Sequence, residues 1–160
     1  MSLSSFKIAH KLITGAGAIE QLAAELTRLD IDNPLIVTDA ALVKSGTVEL
    51  ALAQLGERTY EIFDRVLPDP EIAIVEDCMR VYRDGGHDGL IGLGGGSAID
   101  IAKSVAAYAG YHGALEDLFG IDQVPRKGPP LIAIPTTAGT GSEVTNVAIL
   151  SDKAAQLKKG

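Results

Sequence analysis

The sequence predicts an α/β fold in which a parallel sheet is covered by helices on both faces. Two observations support this prediction. Segments with helical apolar spacing alternate with short strand-like segments along the chain, and the distance between successive strand-like segments leaves room for one helix each time. The chain has 160 residues, a length that suits one domain, and it contains no internal repeat, low-complexity tract or linker. We therefore expect residues 1–160 to form one domain.

Each element is predicted from the spacing of its apolar residues and from the residues that break the chain beside it. The predicted helices cover residues 15–29, 48–55, 70–84 and 97–109, and the predicted strands cover residues 35–39, 59–63, 88–93 and 129–135. Asp69 is expected to cap the third helix, with Pro70 at its first position. An edge hairpin over residues 6–14 is a further expectation. This order of elements predicts a Rossmann-like arrangement of three layers.

Charge and composition argue against two classes of partner. The formal net charge is −7 at pH 7, so the electrostatic field of the protein repels nucleic acid backbones and anionic lipid headgroups. No apolar run approaches the roughly 20 residues that span a bilayer. Polar residues also interrupt the N-terminal segment too often for a signal peptide. We expect neither nucleic acid nor a membrane as a partner.

Cysteine and histidine usage bears on compartment and metal binding. Cys78 is the only cysteine, which excludes an internal disulfide bond and a cysteine-based zinc site and suits a reducing compartment such as the cytoplasm. The three histidines are His10, His87 and His112, and no two have the i, i+4 spacing of a metal site on a helix. Each histidine is therefore expected to lie at the surface.

Gly94, Gly95 and Gly96 stand between a predicted strand and a predicted helix. Backbone amides there can approach an anion closely because glycine has no Cβ, and the helix dipole favours negative charge at this end. Ser97 is expected to add a hydroxyl donor and to cap the helix. The pattern predicts a phosphate-binding loop, although a tight turn also uses glycine. Ser97 stands where the Rossmann fingerprint has its last glycine.

Asp39 follows the first predicted strand, at the edge where open α/β sheets bind ligands. Its carboxylate can accept both ribose hydroxyls of an adenosine. A 2′-phosphate at about 4 Å would meet like charge, which costs about 1 kcal/mol in water and about 4 kcal/mol at an effective dielectric constant near 20. This interpretation favours NAD over NADP. An ordinary helix cap explains the residue equally well.

Residues 134–146 place four hydroxyl groups in one loop after the last predicted strand. The hydroxyl groups belong to Thr136, Thr137, Thr140 and Ser142. Segments rich in serine, threonine and glycine are usually solvated turns. Because the triple glycine also follows a strand of the same sheet, we expect the two loops to act together.

The sequence contains GGGSAIDIAK at residues 94–103 and PTTAGTGSEVT at residues 135–145, preceded by VTD at 37–39 and PDP at 68–70. In this order, these motifs resemble the iron-containing alcohol dehydrogenase family. The resemblance covers nearly all of the chain. It implies the nucleotide-binding half of an enzyme that transfers hydride between an alcohol or aldehyde and NAD. It also implies a homo-oligomer, and Fe²⁺ or another divalent metal held by a helical second domain that is absent from this chain.

The resemblance further implies roles for individual residues. The implied cofactor-binding residues are Asp39 at the adenosine ribose, Gly95, Gly96 and Ser97 at the pyrophosphate with Gly94 beside them, Asp100 near the nicotinamide, Thr136, Thr137 and Thr140 along the adenine and phosphate path, and Lys158 at a ribose hydroxyl. Lys103 is expected either to pair with Asp100 or to have a functional role. No catalytic or metal-binding residue is assigned, so the chain is expected to bind nucleotide without turnover. A stand-alone nucleotide-binding module or a phosphosugar-binding module is the alternative.

Overall fold

The computed structural model describes residues 9–152 and 157–160. The helices are α1 (Leu22–Arg28), α2 (Ala40–Lys44), α3 (Glu49–Leu52), α4 (Ile72–Asp84) and α5 (Gly96–Ala109), and the strands are β1 (Pro34–Val37), β2 (Glu61–Phe63), β3 (Gly89–Gly94), β4 (Leu131–Pro135), β5 (Leu150–Asp152) and β6 (Leu157–Lys159). Short 3₁₀ helices cover Ala18–Gln21 and Leu115–Leu118. Within the described residues, no helix combines the length and apolar character needed to cross a membrane.

Strands β1 to β4 form one parallel sheet in the order β2-β1-β3-β4. Leu35 of β1 pairs with Leu90 of β3, which in turn pairs with Leu131 of β4. The neighbouring residues Ile36 and Ile91 pair in the same way. Because successive side chains of a strand point to opposite faces, the two rows lie on opposite sides of the sheet.

Each face of the sheet is covered by its own apolar cluster and its own helices. On one face, Leu35 and Leu90 pack with buried residues of α4 and α5. On the other face, Ile36 and Ile91 pack with buried residues of α1 and of the segment around α3. This arrangement confirms the predicted α/β fold with three layers. Continuous apolar strands such as β1 and β3 are the expected sequence of a sheet buried on both sides.

The sheet has a topological switch point between β1 and β3. After β1 the chain turns to the face that α2 and α3 cover, and after β3 it turns to the face that α5 covers. The two connections therefore diverge at the carboxyl ends of adjacent strands. Ligands of open α/β sheets bind in the crevice that such a divergence leaves.

Two predicted helix caps were wrong. Helix α4 begins at Ile72 with Glu71 as its N-cap, not at Asp69 and Pro70. Asp69 has a φ of 52°, and the carbonyl of Pro70 accepts a hydrogen bond from the amide of Ser151, so this turn holds strand β5 instead. Helix α5 begins at Gly96 with Gly95 as its N-cap, which places Ser97 inside the first turn.

Two other expectations about the first 30 residues met different outcomes. The predicted helix over residues 15–29 divides into the 3₁₀ helix and α1. Residues 9–14 contain no strand, so the predicted edge hairpin is not present there, and residues 6–8 lie outside the described residues.

His10 and His112 are exposed as predicted, but His87 is buried, with 8% of its surface accessible. It lies just before β3, at the amino end of the sheet. Its Nδ1 lies 3.0 Å from the carbonyl oxygen of Asn33, and its Nε2 lies 3.5 Å from a carboxylate oxygen of Glu61. The surface prediction for His87 was therefore wrong, because the packing of the loops at the amino end of the sheet is not visible in local sequence.

Candidate functional site

Three loops meet at the carboxyl edge of the sheet, beside the switch point. They are Asp39 after β1, the triple glycine at the end of β3, and the loop that follows β4. The amide of Thr136 donates a 2.9 Å hydrogen bond to the carbonyl of Gly94, which joins the second loop to the third. The structure therefore brings together residues that lie up to about a hundred positions apart in the sequence.

Gly94 occupies a position that a side chain would disrupt. Its φ is +151°, a conformation that residues with a Cβ rarely adopt. A Cβ placed on it would lie 2.9 Å from the Cβ of Ala98, 3.3 Å from Leu42 and 3.9 Å from Oδ2 of Asp39. Gly94 thus lets β3, α5 and the Asp39 loop approach one another closely.

Gly95 and Gly96 face the loop of residues 136–149, which we call the hydroxyl loop, rather than the core. A Cβ on Gly95 would lie 3.3 Å from Oγ1 of Thr137. A Cβ on Gly96 would lie 3.2 Å from Oγ of Ser142 and 3.4 Å from the Cβ of Thr140. Side chains at these two glycines would fill the space between backbone and hydroxyl groups, so the absence of a Cβ leaves a polar cradle there.

The backbone amides at the start of α5 are suited to an anion. The first amides that bond within this 14-residue helix are those of Ala98 and Ile99, and both donate to the carbonyl of Gly95. The amides of Gly96 and Ser97 precede these bonds, as the first amides of any helix do. Together with the helix dipole, such amides form an anion-binding site.

Asp39 is the N-cap of α2, as one of its two predicted interpretations requires. Its Oδ1 accepts hydrogen bonds of 2.9 Å from the amides of Ala41 and Leu42. Both cap bonds use the same oxygen, and Oδ2 is the carboxylate oxygen on the side of Gly94. Capping therefore uses only one of the two carboxylate oxygens and leaves Oδ2 on the side of Gly94. The predicted ribose contact stays a prediction.

Asp100 and Lys103 lie on α5, after the triple glycine. Asp100 is buried, and its Oδ2 accepts a 3.1 Å hydrogen bond from the amide of Ile149. The ammonium group of Lys103 lies 3.5 Å from Oδ1 of Asp100, so the predicted ion pair is present. Burial lowers the pKa of Lys103, and the Asp100 carboxylate opposes this shift.

Comparison with protein families matches residues 9–160 to the iron-containing alcohol dehydrogenases. The chain belongs to the iron-containing alcohol dehydrogenase family. Long-chain-alcohol dehydrogenase 1 of Geobacillus thermodenitrificans is 42% identical over 142 residues, which are 86% of this chain and 36% of the relative.

Solved structures of two proteins share the fold. The alcohol dehydrogenase from Oenococcus oeni superimposes with a TM-score of 0.92 and 32% identity over 98% of this chain and 42% of its own. The sulfoacetaldehyde reductase from Bifidobacterium kashiwanohense, solved in complex with NAD⁺, has a TM-score of 0.82 and 29% identity over 90% of this chain and 39% of its own. This member of the alcohol dehydrogenase family therefore spans about two fifths of the length of these proteins.

The remaining predicted site residue of this family member lies on β6. Lys158 forms an ion pair of 2.6 Å with Asp69, and both side chains are largely exposed. Its neighbour Lys159 pairs with Asp152 across the β5–β6 hairpin at 2.6 Å. The contact that the structure gives Lys158 is thus with the turn before α4, and its ribose contact stays a prediction.

Sequence reasoning missed the contacts of residues 145–149. Residues 145 and 146 belong to the loop that was singled out for its hydroxyl groups, whereas residues 147–149 were not singled out. In the structure Thr145, Val147 and Ile149 contact Asp100 or Lys103. The signal that was available is the pair of charged residues on an otherwise apolar helix face, since buried charges require partners.

Metal-ligating side chains do not cluster in the part of the chain that the structure describes. Across residues 9–152 and 157–160, no three His, Cys, Asp or Glu side chains lie together as potential ligands. The residues that the structure describes therefore provide no set of ligands for a metal ion.

Proposed function

We propose that this chain is the nucleotide-binding part of an NAD-dependent alcohol dehydrogenase, an enzyme that transfers hydride between an alcohol or aldehyde and the nicotinamide. One observation supports this function best. Three loops with an acidic side chain, bare glycine backbone and hydroxyl groups converge at the switch point of a parallel sheet. A dinucleotide needs an acidic partner for the hydroxyl groups of its ribose, and backbone amides and hydroxyl groups for the oxygens of its pyrophosphate.

The pyrophosphate is assigned to the cradle between α5 and the hydroxyl loop. The amides of Gly96 and Ser97 supply donors that the helix itself does not use. Thr137 and Ser142 supply hydroxyl groups from the opposite side, and the Cβ and methyl group of Thr140 pack beside them. Such fixed donors hold an anion without rearrangement, so little free energy is spent on ordering the site.

The adenosine ribose is assigned to Asp39. Its Oδ2 accepts a ribose hydroxyl while Oδ1 keeps its two bonds to α2. A 2′-phosphate at this position meets the same negative charge, which favours NAD over NADP. The helix cap and the ribose contact are therefore compatible functions of one carboxylate.

Hydride transfer is assigned to the nicotinamide, which accepts or returns a hydride at its ring when NAD is bound. The contribution of this chain is position: fixing the diphosphate and the ribose determines where the ring projects from the sheet edge. Because the chain spans about two fifths of the length of its relatives, we propose that it binds the cofactor but needs the rest of an enzyme for turnover. Fe²⁺ or another divalent metal belongs, in this proposal, to that remaining part.

The other expectations from family membership are part of the same proposal. We propose a small-molecule alcohol or aldehyde as the substrate of the complete enzyme, a homo-oligomeric assembly and a cytoplasmic location. The relatives include a long-chain-alcohol dehydrogenase and a sulfoacetaldehyde reductase, so alcohols and aldehydes of different chain length and charge are the substrates to compare.

Titration with NADH tests the proposal through the cofactor's fluorescence. The wild-type chain is compared with Asp39→Ser, which keeps a capping oxygen for α2 but is too short to reach a ribose, and with Asp39→Ala, which removes both. We expect both variants to bind NADH at least about tenfold more weakly, while only Asp39→Ala loses about 1 kcal/mol of stability. The same chain is titrated with a sugar phosphate as the competing ligand.

Three results would contradict the proposal. Wild-type protein that leaves NADH fluorescence unchanged at saturating concentrations refutes nucleotide binding. Tighter binding of the sugar phosphate than of NADH supports the phosphosugar-binding alternative instead. Undiminished NADH affinity in Asp39→Ser refutes the ribose assignment while leaving the pyrophosphate cradle in place.

A further inference from the structure

The hydroxyl loop is attached to the β3–α5 unit at both of its ends. At its start, the amide of Thr136 bonds to the carbonyl of Gly94 at 2.9 Å. At its end, the amide of Ile149 bonds to Oδ2 of Asp100 at 3.1 Å. The hydroxyl groups of the cradle lie between these two attachments.

Lys103 strengthens the second attachment through three nearby oxygen atoms. Its Nζ donates hydrogen bonds to the carbonyl of Val147 at 2.6 Å and to Oγ1 of Thr145 at 3.4 Å, and it forms an ion pair of 3.5 Å with Oδ1 of Asp100. An ammonium group donates hydrogen bonds and accepts none, so oxygen atoms are the partners it requires. Two of the three belong to the hydroxyl loop, more than forty residues further along the chain.

The two charged side chains depend on each other. Their side chains are only 13% and 11% exposed. Oδ1 of Asp100 is buried and has no hydrogen-bond partner among the described residues, so the charge of Lys103 is its compensation. Buried charges are retained only with such partners, and the loss of one leaves the other uncompensated.

Neither residue faces the cradle directly. The groups nearest to Gly95 and Gly96 are Thr137, Thr140 and Ser142. The polar atoms of Asp100 and Lys103 are engaged by the backbone and side chains of residues 145–149 instead. Their effect on a ligand in the cradle would thus pass through the loop.

We propose that Asp100 and Lys103 are a positioning pair that fixes the hydroxyl loop against α5 and so holds Thr137, Thr140 and Ser142 over the glycine cradle. The inference rests on the proposed function for its ligand, NAD, but not for its structural content. It differs from the role near the nicotinamide that the family resemblance implies for Asp100, because the pair acts through its contacts with residues 145–149 of the loop.

The test compares Lys103→Met with Arg80→Met in the full 160-residue chain. Lys103→Met removes the charge and all three donors at similar length, whereas Arg80→Met removes one positive charge from an exposed position on α4. Two quantities are measured for each variant: hydrogen exchange of the loop amides by mass spectrometry, with α1 peptides as the internal reference, and the dissociation constant of NADH.

We expect Lys103→Met to speed exchange in peptides from the hydroxyl loop about tenfold and to raise the NADH dissociation constant by a similar factor, because a loop that is correctly placed a tenth of the time binds tenfold more weakly. Arg80→Met should change neither quantity. If Lys103→Met does not fold because Asp100 is left uncompensated, the double variant Asp100→Asn/Lys103→Met removes both charges and is expected to show the same two changes.

The outcomes separate the inference from the proposed function. Unchanged loop exchange in the folded variants refutes the positioning role whatever happens to NADH affinity. Weaker NADH binding with unchanged loop exchange assigns the pair to direct cofactor contact instead. Faster loop exchange in a protein whose wild type does not bind NADH supports the positioning pair and refutes the nucleotide-binding proposal.

Discussion

Separate substitutions of Gly94 and Gly95 should distinguish the requirements of the fold from those of the ligand. At Gly94, alanine must adopt a φ of +151° and place its Cβ 2.9 Å from the Cβ of Ala98. Backbone strain of this kind costs about 1–3 kcal/mol, and overpacking of a tight contact costs another 1–3 kcal/mol or so. We therefore expect Gly94→Ala to lose roughly 2–6 kcal/mol of folding free energy.

At Gly95, the same substitution meets different surroundings. The backbone has a φ of −75° and a ψ of −175°, an extended conformation that any residue adopts. The added Cβ would lie 3.3 Å from Oγ1 of Thr137, a hydroxyl group that can rotate away. We expect a stability loss of less than about 1 kcal/mol, within the range of an ordinary surface substitution or slightly above it. The methyl group nevertheless occupies the cradle, so NADH affinity should fall at least about tenfold.

Two assays check this pair of substitutions. Urea unfolding gives the free energies, and thermal unfolding should show a fall of roughly 4–24 °C for Gly94→Ala, since a domain of this size loses about 2–4 °C per kcal/mol. NADH titration gives the affinities. Gly95→Ala that is stable and binds NADH as tightly as the wild type would refute the cradle, and Gly94→Ala with wild-type stability would refute the close contact between β3 and α5.

Two further predictions concern stability away from the site. Burial raises the pKa of the Cys78 thiol to about 12, so the native protein should resist a thiol reagent such as DTNB at pH 8 and react only on unfolding. The stabilisation from the neutral thiol is complete below its ordinary pKa of about 8.5 and is lost as the pH rises through 12, which urea unfolding at pH 8 and pH 10.5 measures; reaction of the folded protein at pH 8 would contradict the burial. Asp88 accepts hydrogen bonds of 2.9 and 3.0 Å from the amides of Asp32 and Asn33, so Asp88→Ala should cost about 2–3 kcal/mol by urea unfolding. Asp84→Ala, at an exposed position, is the control, and equal stability of the two variants would show that these amides find other partners.

Local sequence predicted the elements whose cause is local. The helical spacing of Ile72, Val75, Met79 and Tyr82 predicted one apolar face of α4. The last three are buried there together with Cys78, and Ile72 is half-buried at the start of the helix. The start of the same helix was wrong by two residues, because the turn at Asp69 and Pro70 serves strand β5, which comes some eighty residues later. Caps are decided by competition between local and distant partners, and only the local ones appear in the sequence.

The candidate site divides in the same way. Its residue types were predicted because glycine, aspartate and hydroxyl groups at strand ends have intrinsic properties that any fold would use. Their partners were not predicted. That Oδ1 of Asp39 caps α2 while Oδ2 is left at Gly94 depends on the register of β1 against β3.

Local sequence was enough to predict an α/β domain that belongs to the iron-containing alcohol dehydrogenase family and has three glycines after its third strand. Periodicity and motifs can be recognised within a few residues. Only the tertiary structure decided the strand order, the burial of His87 and the attachment of the hydroxyl loop to Asp100 and Lys103. Those features join residues that are 26 or more positions apart, and such contacts follow from how helices and strands pack together. A local pattern contains no record of that packing.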